Sequence, residues 1–217
     1  MTNKVFWQDP YLTELDTHIA SINGRIITVA DTIFYAFAGG QESDAGTIGS
    51  QPVLEARKDG LEIFYTLAGN HGLQPGNPVR MSIDWTRRYR LMRLHFAAEI
   101  ILELAYQNLG SIAGITKIGA HIAEDKSRID FEWGESISPE LPMLQQKALA
   151  VIAADSPIVS AFSDETNQRR YWEIAGFARV ACGGTHLRKT GEVGAIELKR
   201  KNIGKGKERI EITLIQP

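Results

Sequence analysis

The sequence predicts an α+β chain in two parts: a small N-terminal β-barrel, then an antiparallel sheet packed with helices. Three observations predict it. Up to about residue 85, short alternating apolar runs are broken by turn residues. Near Asp84 the pattern switches to a long stretch with helical spacing, and beyond it alternation resumes around one further helical segment. The boundary therefore falls between a first domain, 1–85, and a second, 86–217.

In the first part, Asn23-Gly24 and Asp59-Gly60 are the dipeptides that tight hairpins favour. Around them Ile22, Ile27 and Val29, then Leu61, Ile63 and Tyr65, then Val79, Met81, Ile83 and Trp85 supply mostly alternating apolar positions. The glycine-rich stretch from Ala38 to Gly49 is too small and polar to pack a core, so it is a connector or a backbone-lined binding edge. From Trp85 to about Leu109, Leu91, Leu94, Ala98, Ile101, Leu102 and Ala105 follow helical spacing, and Asn108-Leu-Gly110 carries C-cap chemistry. Ile118, Ala120 and Ile122, then Ile129, Phe131 and Trp133, alternate on either side of a turn at Asp125-Lys-Ser-Arg128, which predicts a hairpin. Ser138-Pro139-Glu140 reads as an N-cap, a first-turn proline and a dipole-favouring acid that open a helix to about Ala153. A strand follows from Pro157 to Phe162. The less regular residues 164–180 carry Tyr171-Trp172 and Phe177 toward the cysteine, and Ala195–Lys201 with Glu208–Ile215 form a closing hairpin.

Composition narrows the function classes. With 217 residues, 43% hydrophobic and 23% charged, the chain reads as an ordinary soluble globular protein able to bury a core. A formal charge of -2 offers no global attraction to nucleic acid, so any RNA contact must come from a local basic patch. The single cysteine excludes an internal disulfide and fits a reducing cytoplasm. The first residues lack the apolar core of a leader, and no run of about 18 apolar residues predicts a membrane span.

The chemistry concentrates in Cys182-Gly-Gly-Thr-His186, where the only cysteine stands one helical turn's length from one of five histidines. A thiolate and an imidazole at that spacing can grip one Zn²⁺. The two intervening glycines suggest a turn that must approach another group closely. Two donors rarely suffice, and the best complement is His95-Phe-Ala-Ala-Glu99, where a helix places His95 and Glu99 on one face. Carboxylate oxygen binds Zn²⁺ at nearly the distance of imidazole nitrogen, so His95, Glu99, Cys182 and His186 form a chemically allowed set, one charge more negative than with a third imidazole. His18, His71 and His121 have no partners at ligand spacing and read as structural.

This combination resembles the free-standing alanyl-tRNA editing proteins of the AlaX type, which are similar to the editing domain inside alanyl-tRNA synthetase. Besides Cys182-Gly-Gly-Thr-His186 and the Thr190-Gly-Glu-Val-Gly194 behind it, the matching stretches are Thr32-Ile-Phe-Tyr35, Gly39-Gly-Gln41 running to Gly46, Asp84-Trp-Thr-Arg-Arg88 and Arg128-Ile-Asp130-Phe131. The chain departs from the family pattern at Glu99, where a second helical histidine is usual, and at Ala38, the first position of a usual Gly-Gly-Gly-Gln run. The resemblance implies zinc as cofactor and mischarged alanine tRNA as partner. It further implies hydrolysis in trans of the ester to a wrong amino acid, above all serine. Gln41 and Thr185 are the expected pocket residues, with turn amides near Gly183 and Gly184 holding the attacking water. Arg87, Arg88 and Arg93, with Lys189, are the expected contacts to the RNA 3′ end. Editing of a different aminoacyl-tRNA, or a non-catalytic zinc-stabilised tRNA-binding module, are the alternatives.

Overall fold

The computed structural model describes residues 1–215, and of residues 111–113 the backbone alone. The chain is mixed α and β and forms two compact units. One comprises Met1–Ala38 and Glu42–Tyr89, the other Gly39–Gln41 and the chain from Arg90 onward.

In the first unit, β1 (Asn3–Lys4) and β4 (Asp31–Thr32) make a short parallel pair. The longer strands are β2 (Glu14–Asn23), β3 (Ile26–Val29), β5 (Gly46–Ile48), β6 (Gln51–Asp59), β7 (Glu62–Leu67) and β8 (Pro78–Ile83). They pair in a closed cycle, β2-β3-β7-β6-β5-β8 and back to β2, so each has two neighbours. Alternation puts Ile19, Ile27, Val29, Ile48, Ile63, Tyr65, Leu67 and Met81 into its core. Leu61, read from the sequence as part of the alternating set, lies in the turn between β6 and β7 and is exposed, because the hairpin closes one residue later than the apolar run begins.

The same unit holds a buried ion pair. Arg88 is completely inaccessible: its Nε donates to Asp44 Oδ1 at 2.8 Å and its Nη2 to Asp44 Oδ2, while Nη1 and Nη2 also donate to the carbonyls of Pro10 and Ile33. Asp44 in turn accepts the backbone N–H of Tyr35 at 2.6 Å. The expectation that Arg88 meets RNA is corrected by this arrangement. A guanidinium with no exposed surface and its donors engaged inside the unit does not reach a phosphate.

Helix α1 (Trp85–Ala113) opens where Asp84 accepts the N–H of Arg87 at 3.1 Å, an N-cap interaction. From Leu91 to Ile101 nearly every residue is buried, including Phe96, Ala97 and Ile100 as well as the expected stripe. A helix apolar on all sides belongs inside a core. Its end corrects the sequence reading: Asn108 Nδ2 donates back to the Leu104 carbonyl at 2.7 Å, Gly110 stays helical, and Gly114, with φ +67°, is the left-handed residue that follows the last turn.

The second unit continues with β9 (Thr116–Ile122), β10 (Ser127–Glu132), α2 (Leu141–Ala153), β11 (Val159–Asp164), β12 (Arg169–Ile174), β13 (Ala178–Ala181), β14 (Ile196–Asn202) and β15 (Lys207–Leu214). One antiparallel sheet has the order β14-β15-β10-β9, and a second the order β11-β12-β13. The Arg128-Ile-Asp130 motif is structural, since Asp130 accepts both Arg209 Nε (2.6 Å) and Nη2 (3.0 Å) across β10 and β15. Ser138 does not cap α2: it lies inside a 3₁₀ turn, Ser138–Glu140, and neither this turn nor α2 has a side-chain N-cap. Among the described residues no helix is long and apolar enough to cross a membrane.

Candidate metal centre

Four segments of the second unit converge. Strand β13 leads directly into Cys182, whose N–H donates to the Arg170 carbonyl on β12 at 2.9 Å, so the cysteine is fixed to the sheet edge. The turn that follows brings His186 back beside it. Helix α1 supplies His95, and the strip Gly39–Gln41 runs along β9, where the Ile122 N–H donates to the Gly40 carbonyl at 2.8 Å and Gln41 bridges Ile122.

The Cys182 Sγ lies 3.4 Å from His95 Nε2 and 3.3 Å from His186 Nε2. The ligand atoms of His95, Cys182 and His186 all fall within 4.8 Å of one another, and both histidines are buried. For a tetrahedral ion with sulfur at about 2.3 Å and nitrogen at about 2.0 Å, sulfur and nitrogen donors stand about 3.5 Å apart. The observed spacings therefore fit one small cation.

The other nitrogen of each ring is engaged away from the cluster. His95 Nδ1 is 2.6 Å from Gln41 Oε1, and His186 Nδ1 is 2.8 Å from Ser160 Oγ. With Nδ1–H donating outward, each Nε2 presents its lone pair inward, the tautomer a metal needs. Gln41 passes the order on, since its Nε2 donates to Thr185 Oγ1 at 2.9 Å. Gln41 and Thr185 are each only about one hundredth exposed, so these expected pocket residues stand behind the cluster as a hydrogen-bonded pair.

Glu99 sits beside His95, and among the described residues the group whose ligand atoms all lie within 4.8 Å of one another is His95, Cys182 and His186 without it. Its Oε2 accepts the Trp172 indole N–H at 2.8 Å, and its Oε1 is 3.5 Å from His95 Nε2. Burial opposes charge on the carboxyl, but His95 and the Trp172 hydrogen bond hold it down at about 2. Burial likewise raises the Cys182 thiol, yet the two imidazoles bring it to about 6. For His95 burial lowers the pKa, and the neighbouring thiolate and carboxylate overcome this and raise it to about 10. Two anions thus demand positive charge between the imidazoles, and a proton or a divalent cation satisfies that demand.

Gly184 explains the glycine pair. A Cβ there would lie 2.0 Å from His95 Cε1 and 2.6 Å from Nδ1, whereas one at Gly183 would meet nothing within 4 Å. The close approach expected from the sequence is confined to the second glycine, and the group approached is the imidazole itself. Behind it, Thr190-Gly-Glu-Val-Gly194 is a structural clasp: Glu192 Oε1 accepts the N–H groups of Arg188 and Lys189, each at 3.0 Å, and buried Thr190 exchanges hydrogen bonds with the Ser156 backbone.

Of the other basic residues singled out, Arg87 pairs with Glu42 at 2.7 Å and Arg93 Nε donates to the Val193 carbonyl at 3.0 Å. Lys189 is exposed and pairs with Asp155 at 2.9 Å. Sequence reading missed Ser160 and Trp172. Neither stands at a recognisable spacing from a donor, and only the pairing of β11 with β12 brings them into place.

A mixed α and β chain with buried imidazoles and a thiolate at ligand spacing is, by fold and site, a candidate metalloprotein. Residues 173–211, which contain the cysteine turn and its clasp, match the Threonyl and Alanyl tRNA synthetase second additional domain. The chain is 30% identical over 216 residues to the alanyl-tRNA editing protein AlaX-M of Pyrococcus horikoshii, covering 99% of this chain and 98% of that protein. It is 30% identical over 238 residues to AlaX-M of Saccharolobus solfataricus, covering 99% of each. An alanine–tRNA ligase of Korarchaeum cryptofilum is 33% identical over 238 residues, 98% of this chain and 26% of the ligase. The chain belongs to the family of alanyl-tRNA editing proteins.

Proposed function

We propose that this chain is a trans-acting editor that removes serine, and also glycine, from mischarged alanine tRNA in the cytoplasm, by ester hydrolysis at a zinc-containing site. The activity class, aminoacyl-tRNA deacylase, follows from the family. The observation that carries the rest is the convergence of His95, Cys182 and His186 on one point, with both outer ring nitrogens engaged. In this reading residues 86–217 are the editing domain, and the closed sheet within 1–85 is a small β-barrel domain.

His95, Cys182 and His186 would hold the zinc ion, with Glu99 as the remaining donor. Bound there, zinc supplies a fixed positive charge that can orient the 3′ end or stabilise negative charge developing on the ester. The protein's own groups do the rest. Gln41 fixes the His95 tautomer and, through its amide NH₂, sets the Thr185 hydroxyl oxygen as an acceptor. The turn amides at Gly183 and Gly184 orient the attacking water. Arg93 and Lys189, with Arg87, are the candidate contacts to phosphate.

The selection problem is physical. An alanine pocket cannot reject serine strongly, because a hydroxyl adds little volume, so a second site must recognise that hydroxyl by hydrogen bonding. Alanine entering such a site leaves polar groups unpaired, which disfavours cleavage of the correct product. Gln41 and Thr185 are the groups assigned this task.

Deacylation of seryl-, glycyl-, alanyl- and threonyl-tRNA, measured side by side with and without a chelator, tests the reading. Seryl-tRNA should be cleaved fastest, alanyl-tRNA spared, and the chelator should abolish turnover. Cys182→Ala should lose at least about 100-fold in rate, as removal of a donor disrupts the centre. Turnover of seryl-tRNA by that variant at the wild-type rate, or preference for threonyl-tRNA, would overturn the assignment.

A further inference from the structure

We infer that Trp172 is a positioning residue of the metal centre: its indole N–H anchors one oxygen of Glu99 so that the other faces the cluster as the fourth donor. The inference rests on the metal reading above and concerns how this chain completes its donor set.

Trp172 lies on β12, the middle strand of its sheet, and is completely buried. Phe177 stacks on it with centroids 6.4 Å apart and planes 19° from parallel, while Phe96 meets it edge-on at 5.3 Å. Phe96 follows His95 on α1 and also touches the His186 ring, at 6.0 Å. The indole is thus held between two rings, of which Phe96 is itself tied to the centre. An indole N–H can only donate, and a buried donor requires an acceptor. Glu99 Oε2 is that acceptor, at 2.8 Å.

The consequence falls on the other oxygen. Left untethered, a glutamate has several side-chain torsions to order, and the Cys182 thiolate repels it from the cluster. With Oε2 held, Oε1 stands 3.5 Å from His95 Nε2. Two light donors at about 2.0–2.1 Å from a shared tetrahedral ion are separated by about 3.3 Å, so Oε1 already stands near that spacing from His95, and it completes the set by moving toward Cys182 and His186, whose ligand atoms group with that of His95 within 4.8 Å without it. The sheet register reinforces the assignment. Trp172 is paired directly opposite Ser160, and opposed residues share a face. One rung of the β11–β12 pair therefore carries both the hydrogen bond to His186 and the one to Glu99.

The test titrates apo protein with zinc alone against a chromophoric chelator, for wild type, Trp172→Phe, Glu99→Gln and the double variant. Cobalt-substituted samples report the donor set by absorption. Trp172→Phe should weaken zinc binding by about 10–100-fold, the usual effect of removing an outer partner. Glu99→Gln should weaken it at least as much, with the same change in the cobalt spectrum, and the double variant should be no weaker than Glu99→Gln. Unchanged affinity in Trp172→Phe would overturn the inference, as would a loss that persists at full size in the Glu99→Gln background, which marks packing rather than positioning. Should Trp172→Phe fail to fold, Glu99→Gln decides alone: an unaltered cobalt spectrum and zinc affinity refute the inference. None of these readouts uses deacylation, so a wild-type protein that binds zinc tightly but cleaves no aminoacyl-tRNA would refute the proposed function and leave this inference standing.

Discussion

Gly184→Ala protein is expected to bind zinc poorly and to cleave seryl-tRNA at least about 100-fold more slowly than wild type, because misplacing a reacting constellation by about 1 Å costs that much. The new methyl would lie 2.0 Å from His95 Cε1 and 3.0 Å from Gln41 Oε1. Neither group can yield cheaply. His95 is on a helix buried on nearly all sides, and its Nδ1 is hydrogen bonded to Gln41, which in turn holds Thr185. Displacing the ring therefore disturbs the donor and the polar pair behind it together. Gly183→Ala is the steric control for the metal, since a methyl there meets nothing within 4 Å, and it should keep full zinc content. Metal analysis and deacylation of both variants check the prediction. Equal zinc occupancy in the two would show that His95 does not stand where a metal needs it.

Arg88→Met is expected to lower stability by about 3–5 kcal/mol, because it leaves the Asp44 carboxylate buried without its counter-ion. Both side chains of the pair have no accessible surface, and the guanidinium also satisfies the carbonyls of Pro10 and Ile33. At about 2–4 °C per kcal/mol for a chain of this size, the melting temperature should fall by about 6–20 °C. Arg87→Ala, by contrast, removes a partly exposed pair with Glu42 and should cost no more than about 1 kcal/mol. Calorimetry on the two variants separates a structural arginine from a surface one. A melting temperature for Arg88→Met equal to that of Arg87→Ala would contradict the buried-pair account.

These two arginines show how far a sequence can be read. Asp84-Trp-Thr-Arg-Arg88 looks like a basic cluster, and charge spacing alone treats Arg87 and Arg88 alike. Adjacent positions on a helix point about 100° apart, so one can face a core while its neighbour reaches the surface. Which of the two is buried depends on where Asp44 sits, and that is set by the course of the loop carrying it. The helix end at Gly114 rather than Gly110 has a similar cause. Both glycines are legible as stops, and Asn108 beside the first strengthens the wrong one, until its side chain is seen to bond back to Leu104.

The sequence by itself determined the α+β character, the approximate span of both helices, and the identities of the three donors that converge: Cys182, His186 and His95. Those depend on short-range information, a turn of three residues between thiol and imidazole and the periodicity of one apolar helix, with the family resemblance selecting His95 on it. Only the tertiary structure decided what stands behind each donor. Gln41 reaches His95 through its bridge to Ile122, while Ser160 at His186 and Trp172 at Glu99 arrive on one rung of the β11–β12 pair, and register between distant strands leaves no local trace in the order of residues.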